Sequence, residues 1–329
     1  MAYPPPRRLF AAGLLGIAAT CFAPGALADP SYPNKPITVV VPAAPGGNLD
    51  TSTRAMMREV SVLLGQPIII ENKPGASLLV GTRFVAKARP DGYTLLAMSN
   101  TFTVAPSVVL NPGYDPIKDF DPIAIINSSP LVIVVRPQSL LTSLSSLVAH
   151  ASSKPDEVTY GSAGRGSTSH LFPLMFFREA GAPKAVHVPY KGNAPAIVDV
   201  MGGHLTMVMD AVISTSEHLR GGRLQALGVA AKARSPVLPN VPTFAEQGYP
   251  NFVAEAFSGL VAPAGTPRDI RVKLHAAITK AITPAMVERL RASGQDVRAS
   301  ASPEEFGEFI KGEVTRFAKA VKDAEITPE

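Results

Sequence analysis

The chain has 329 residues, a formal net charge of +5, 46% hydrophobic and 17% charged side chains, no tryptophan and one cysteine. A single cysteine excludes an intrachain disulfide and a thiolate metal cluster. Acidic and basic residues are interspersed, and no dense Lys/Arg run with interleaved aromatics marks a nucleic-acid groove, so no nucleic-acid partner is expected.

The first segment reads as an export signal. Arg7 and Arg8 precede an apolar stretch at 9–23, and Ala26-Leu27-Ala28 supplies the small residues of a cleavage site. The stretch is shorter than the roughly 20 residues a membrane-spanning helix needs. Residues 1–28 are therefore expected to be a signal peptide, cut after Ala28. Cys21 leaves with it, together with both leader arginines, so the mature chain has no cysteine and a net charge of +3. The preceding Ala18-Ala19-Thr20 does not suit lipidation of Cys21. The expected destination is the periplasm.

Strand and helix signals then alternate. Ile37–Val41 is a β-branched run, and Met56, Met57, Val60, Leu63 and Leu64 share one face of a following helix. Ile68–Ile70 is a strand, 77–88 a helix closed by Arg89-Pro90-Asp91-Gly92, and Tyr93–Met98 a strand. This β-α-β-α-β order implies a parallel sheet covered on both faces. A second set follows: strands at 131–135, 158–160, 186–188, 205–209 and 224–230, with helices at 144–151, from Ser167, and at 195–201. Residues 231–251 read as irregular and proline-rich. Helices at 267–282 and 284–293 precede a last one, whose Ser302-Pro303-Glu304-Glu305 start is a capping box. Its Phe306, Ile310, Val314, Phe317 and Val321 form one stripe, read as packing onto a lobe. Two such β-α sets leave a cleft where the carboxyl ends of their strands meet.

Two loops on that cleft suit an anion. Pro42–Asp50 joins a strand to a helix; its glycines allow close backbone approach, and the helix start offers free N–H groups. Asp50 is expected to cap that helix rather than to meet a ligand. Residues 161–170, GSAGRGSTSH, repeat the arrangement with hydroxyl donors, and Arg165 adds a guanidinium for a carboxylate. The bland reading is a solvated Arg165 on the rim and a packing or capping His170. Tyr190 offers a hydroxyl or is simply packed; Asp210 orients a ligand amine or caps a helix. Enzyme templates fail: there is no G-x-S-x-G elbow, no Walker loop, and Gly161, Gly164 and Gly166 reverse the dinucleotide spacing. No H-x-x-x-H pair supports zinc. A Ser162 nucleophile with His170 as its base lacks a third orienting group.

The stretches YPNKPITVVVPAAPGGNLD, LGQPIIIENKPGAS, ARPDGYTLL, YDPIKDFDPIA, YGSAGRGSTSHL, HVPYKGNAPAIVDVMGGH, GRLQALGVAAKARSPVLPNVPTFAEQGYP and LVAPAGTP follow one another from residue 32 to residue 267. In this order they resemble the Bug-type solute-binding proteins of tripartite tricarboxylate transporters. The resemblance implies an α/β, type II periplasmic-binding-protein fold: two α/β lobes around a central ligand cleft, joined by a hinge. Lobe I would be 29–130 plus 252–329, and lobe II 131–251. It implies a small carboxylate ligand, aromatic and dicarboxylic acids included, held by backbone amides and hydroxyls. The expected ligand contacts are Ala43, Ala44, Gly46, Gly47 and Asn48 in the first loop, and Ser99, Asn100 and Thr101 after the third strand. In the second loop they are Ser162, Ala163, Gly164, Arg165, Gly166, Ser167 and Thr168; Tyr190 and Asp210 complete the set. Where the family usually has Phe, this chain has Ala43, opening space for a bulkier acid; Arg165 replaces a small polar residue. No catalytic residue, metal or cofactor is expected. The expected partners are transient membrane transporter subunits of a monomeric receptor. A receptor presenting its ligand-bound form to a sensor kinase is the alternative, and a secreted hydrolase using Ser162 ranks last.

Overall fold

The computed structural model describes Met1 and residues 32–328, apart from 47, 77, 191, 292–294, 296, 298 and 324. The expected signal peptide and its cut after Ala28 lie outside the described residues, as does Gly47.

The first set comprises β1 (Ile37–Val41), α1 (Asn48–Leu64), β2 (Ile68–Asn72), α2 (Leu79–Ala86), β3 (Thr94–Ser99) and α3 (Asn100–Val108). β1 lies between β2 and β3, parallel to both. Its apolar run does not alternate because both faces are covered; Ile37, Val39, Val40 and Val41 are all fully buried. Met56, Met57 and Val60 of α1 cover one face, and Leu79, Val85 and Phe102 of α2 and α3 the other. Leu63, expected on the buried stripe of α1, is instead exposed near the helix end.

The second set runs through β4 (Phe120–Val135), α4 (Leu144–Ser153), β5 (Thr159–Ser162), α5 (Thr168–Glu179), β6 (Val186–Pro189), α6 (Asn193–Gly202), β7 (Met207–Ala211), α7 (Val212–Arg220), β8 (Gln225–Val229) and β9 (Glu255–Pro263). β4 is shared between the two halves. From Phe120 to Pro130 it runs antiparallel to β9, which in turn pairs with β3. From Leu131 onward it lies between β7 and β8. The strand order is β2-β1-β3-β9-β4-β7-β5-β6, with β8 on β4. One sheet curls through both lobes, and β4 and β9 are the segments that cross.

The chain closes with α8 (Arg268–Ala281), α9 (Pro284–Arg291) and α10 (Pro303–Asp323). Ile270, Leu274 and Ile278 of α8 pack into the cluster of Met56 and Met57. The start of α10 follows half of its sequence signal: Ser302 Oγ accepts the Glu305 N–H at 3.1 Å, while the Glu305 carboxylate takes the N–H of Ala301, one residue before the cap, rather than that of Ser302. The stripe does not serve one lobe, as expected, but two. Phe306 and Ile310 bury into the first-lobe core, while Phe317 and Val321 bury into the second.

Four features escape the sequence patterns: α3, α7, β9 and the first part of β4. The α3 sequence NTFTVAPSV carries β-branched residues and Pro106, all weak helix formers. β9 contains Gly259, where any Cβ would collide with the Phe306 ring, so the residue that weakens the strand signal is the one that lets α10 pack.

Candidate functional site

The crossing strands form the floor of a pocket of about 100 Å³. β4 contributes Asn127, Ser128 and Ser129, and β9 contributes Ala256, Phe257 and Ser258. The walls are Leu49 and Ser52 from the first turns of α1, Ser99 and Asn100 where α3 begins, Ile213 at the start of α7, and Gln295. These three helices start at the carboxyl ends of β1, β3 and β7, which is why their first turns meet here. The early N–H groups of a helix have no intrahelical acceptor and form the positive end of its dipole. None of the lining residues is charged. The floor is internally bonded: Ser258 Oγ donates to Asn127 Oδ1 at 2.6 Å, and Asn127 Nδ2 donates to Gln295 Oε1 at 3.0 Å.

Asn100 faces this pocket, but its amide group is committed to β9. It donates to Glu255 O at 3.0 Å and accepts the Phe257 N–H at 2.9 Å, pinning α3 to a crossing strand. Thr101 lines a crevice with Pro42, Leu79 and Phe102 instead. A second and larger groove, about 650 Å³, lies between the 230–236 loop and the segment around Arg291, Ser300 and Phe306.

In the first loop Ala44 and Gly46 are exposed and Ala43 is half-buried. Gly46 turns at φ +81°, and Asn48 opens α1. Asp50, expected to cap the helix, instead lies within its first turn and braces the loop before it. Only 2% exposed, it accepts the Gly46 N–H at 2.9 Å, Arg54 Nε at 2.9 Å and Asn72 Nδ2 at 2.9 Å. Asn72 Nδ2 also donates to Ala43 O at 3.0 Å. The Arg54 guanidinium chiefly, with the Gly46 and Asn72 hydrogen bonds, outweighs burial and lowers the Asp50 pKa to about 2. The loop is thus held from within by a carboxylate.

The second loop consumes most of its own donors. Ala163 N–H donates to Ser169 Oγ at 2.9 Å, Gly164 N–H to Ser162 Oγ at 3.0 Å, Gly166 N–H to His170 Nδ1 at 3.0 Å and Ser167 N–H to Gly164 O at 3.1 Å. Ser167 Oγ donates to Gly164 O at 2.7 Å. These amides, expected to reach a ligand, instead shape the loop. Helix geometry leaves the N–H groups of Thr168 and Ser169 without an intrahelical acceptor. Arg165 is exposed and has no ion pair among the described residues. Ser162 is fully buried, and its neighbour is His187 at 2.6 Å rather than His170.

His187, missed in the sequence, is the surprise of this lobe. Its ring stacks on that of His170, with centroids 3.8 Å apart and planes 17° apart. Tyr190 places its hydroxyl on Asp199 Oδ2 at 2.6 Å, which raises the phenol to about 12 and ties the end of β6 to α6. Asp210 accepts the Ala211 N–H at 2.8 Å; burial raises its pKa to about 6, and Asn193 is its other partner. Asn193 Oδ1 is buried without a hydrogen-bond partner. Among the described residues, no helix is long and apolar enough to cross a membrane, and no cluster of three or more His, Cys, Asp or Glu is placed to hold a metal.

Residues 53–326 match the model of the tripartite tricarboxylate transporter family receptor. The chain belongs to this family. Protein BugT of Bordetella pertussis is 37% identical over 296 residues, covering 89% of this chain and 90% of BugT. Among solved structures, MatC of Rhodopseudomonas palustris with bound malate is 34% identical, with a TM-score of 0.73, covering 88% of this chain and all of MatC. R. palustris Rpa4515 with adipate is 30% identical, with a TM-score of 0.76, covering 91% of this chain and all of that one. The periplasmic binding protein BugD is 33% identical, with a TM-score of 0.73 over 91% of this chain and all of BugD. The fold of this family receptor is the periplasmic-binding-protein fold, two α/β lobes around a cleft, as the sequence motifs imply.

Proposed function

We propose that the chain is a periplasmic receptor that closes its lobes on a small carboxylate and delivers it to a tripartite tricarboxylate-type membrane transporter. One observation carries this reading: the first turns of α1, α3 and α7 line one uncharged, hydroxyl-lined pocket over the crossing strands. Three dipole ends and their N–H groups favour an anion, and a site without a fixed cation binds it by directed hydrogen bonds. The volume, about 100 Å³, suits one carboxylate end, since pockets that enclose a whole drug-sized ligand run to about 300–1,000 Å³. The malate and adipate of the two R. palustris relatives favour a dicarboxylate here. Lobe I is then 29–130 plus 252–329 and lobe II 131–251, hinged on β4 and β9. The space beside Ala43 and the guanidinium of Arg165 are left to set the preference at the ligand's far end. The leader at residues 1–28 supplies export.

Calorimetric titration of refolded protein with mono-, di- and tricarboxylates and their amides tests the reading. Binding of at least one acid and not of its amide is expected. Equal binding of acid and amide, or no binding across the acids by folded protein, would overturn it.

A further inference from the structure

We propose that His170 is the positioning residue of the second loop, and that its protonation unlocks the loop and weakens ligand binding in acid. The inference rests on the reading above only in its binding consequence. Its root is one hydrogen bond. Gly166 N–H donates to His170 Nδ1 at 3.0 Å, so that nitrogen is an acceptor and the ring proton sits on Nε2. Gly166 turns at φ +76°, and a Cβ there would come 2.9 Å from Val108 Cγ1 on α3. The bond therefore fixes the loop where it approaches a first-lobe helix. An imidazolium has donors on both nitrogens; Nδ1–H would then face an N–H, and the bond would be lost.

The surroundings keep the ring neutral. Within α5, His170 is 5% exposed. From β6 His187 stacks on it at 3.8 Å, from β5 the Tyr160 ring lies 6.3 Å away, and from the loop Arg165 adds its positive charge. No carboxylate hydrogen-bonds either imidazole among the described residues. Burial first, then His187 and Arg165, lower His170 to about 4; burial and Arg165 lower His187 likewise to about 4. His187 reaches the other half of the loop through Ser162 Oγ at 2.6 Å, but protonation there still presents an N–H to a hydroxyl oxygen. His170 is the sensitive member. With the folded value at about 4, the imidazole is neutral above pH about 5, half protonated near 4, and increasingly protonated below that, so the loop effect sets in only as pH falls through this range.

Amide NMR of the ligand-free protein tests the proposal without any ligand. The Gly166 amide signal should titrate with His170, with a midpoint near 4. In His170→Asn, whose Oδ1 replaces Nδ1 as acceptor but does not titrate, that signal should stay bonded and independent of pH. In His170→Ala the bond should be absent at every pH. A Gly166 amide that ignores the His170 titration, or a His170→Asn protein that titrates like wild type, would overturn the proposal. With malate and adipate as probes, whichever binds should weaken between pH 7 and 4.0 about twofold more in wild type than in His170→Asn, because half of the imidazole is then protonated. Binding that strengthens in acid only in wild type would make the imidazolium an anion contact and overturn it. If no acid binds either protein at pH 7, the carboxylate reading fails while the amide titration still decides the role of His170.

Discussion

The ring of Phe317, near the end of α10, meets Phe172 of the second lobe edge-on at 5.3 Å and 63°. Three turns earlier on the same helix, Phe306 is fully buried in the first-lobe core. Arg316 reinforces the far contact, with its guanidinium 5.0 Å from the Phe172 ring and its Nη2 donating to Val253 O at 2.6 Å. The last helix therefore ties both lobes alongside the crossing strands.

Phe317→Ala should cost about 3–5 kcal/mol in denaturant unfolding, the range for deleting a fully buried phenylalanine. Hydrogen exchange should rise in the second half of α10 and spare its first half, which Phe306 and Ile310 hold. Uniform exchange along the helix would contradict the view that it serves two cores.

Two aspartates should respond in opposite ways to the same substitution. Asp50 is held below its usual range by Arg54, so its contribution is present above pH about 3.8 and lost as pH falls through about 2. Asp50→Asn should lower stability at pH 7 by about 1.5–3 kcal/mol, with the deficit shrinking toward pH 2.

Asp210 is raised to about 6 by burial, so ionising it opposes folding as pH rises from about 3.8 through 6. Asp210→Asn should stabilise at pH 7 by roughly 1–3 kcal/mol and change little below pH 4. The introduced amide can also donate to the orphaned Asn193 Oδ1. Thermal unfolding of both variants against pH checks the signs; destabilisation by Asp210→Asn at pH 7 would show that its charge is needed.

Ser52 lies at the pocket wall in α1. Ser52→Asp puts a negative charge beside the anion position and should weaken carboxylate binding at least tenfold. The fold should survive, since an acid near a helix start is favourable. Ser52→Ala should change binding little. Calorimetry with the bound acid reads both, and unchanged affinity in Ser52→Asp would move the anion elsewhere.

The sequence carries the fold where the signal is local. The fully apolar β1 and the stripe of α10 with its Ser302 cap are legible from neighbours a few residues apart. It is silent where contacts are long-range. Asn127 and Ser258 meet because β4 and β9 cross together, 131 residues apart in the chain. Nothing around Ser258 in SGLVAP announces that it will floor a pocket. His187 sits in the short strand VHVP and matters only once β6 brings it onto His170. Glycine-rich loops were legible as loops, but not that Ser162, Ser169 and His170 would take up their amides.

A crystal structure with the bound acid should show one carboxylate in the pocket over Asn127, Ser129 and Ser258, with its oxygens about 3 Å from N–H groups in the first turns of α1, α3 and α7. Density for the acid in the larger groove beside residues 230–236, with the helix starts unoccupied, would contradict it.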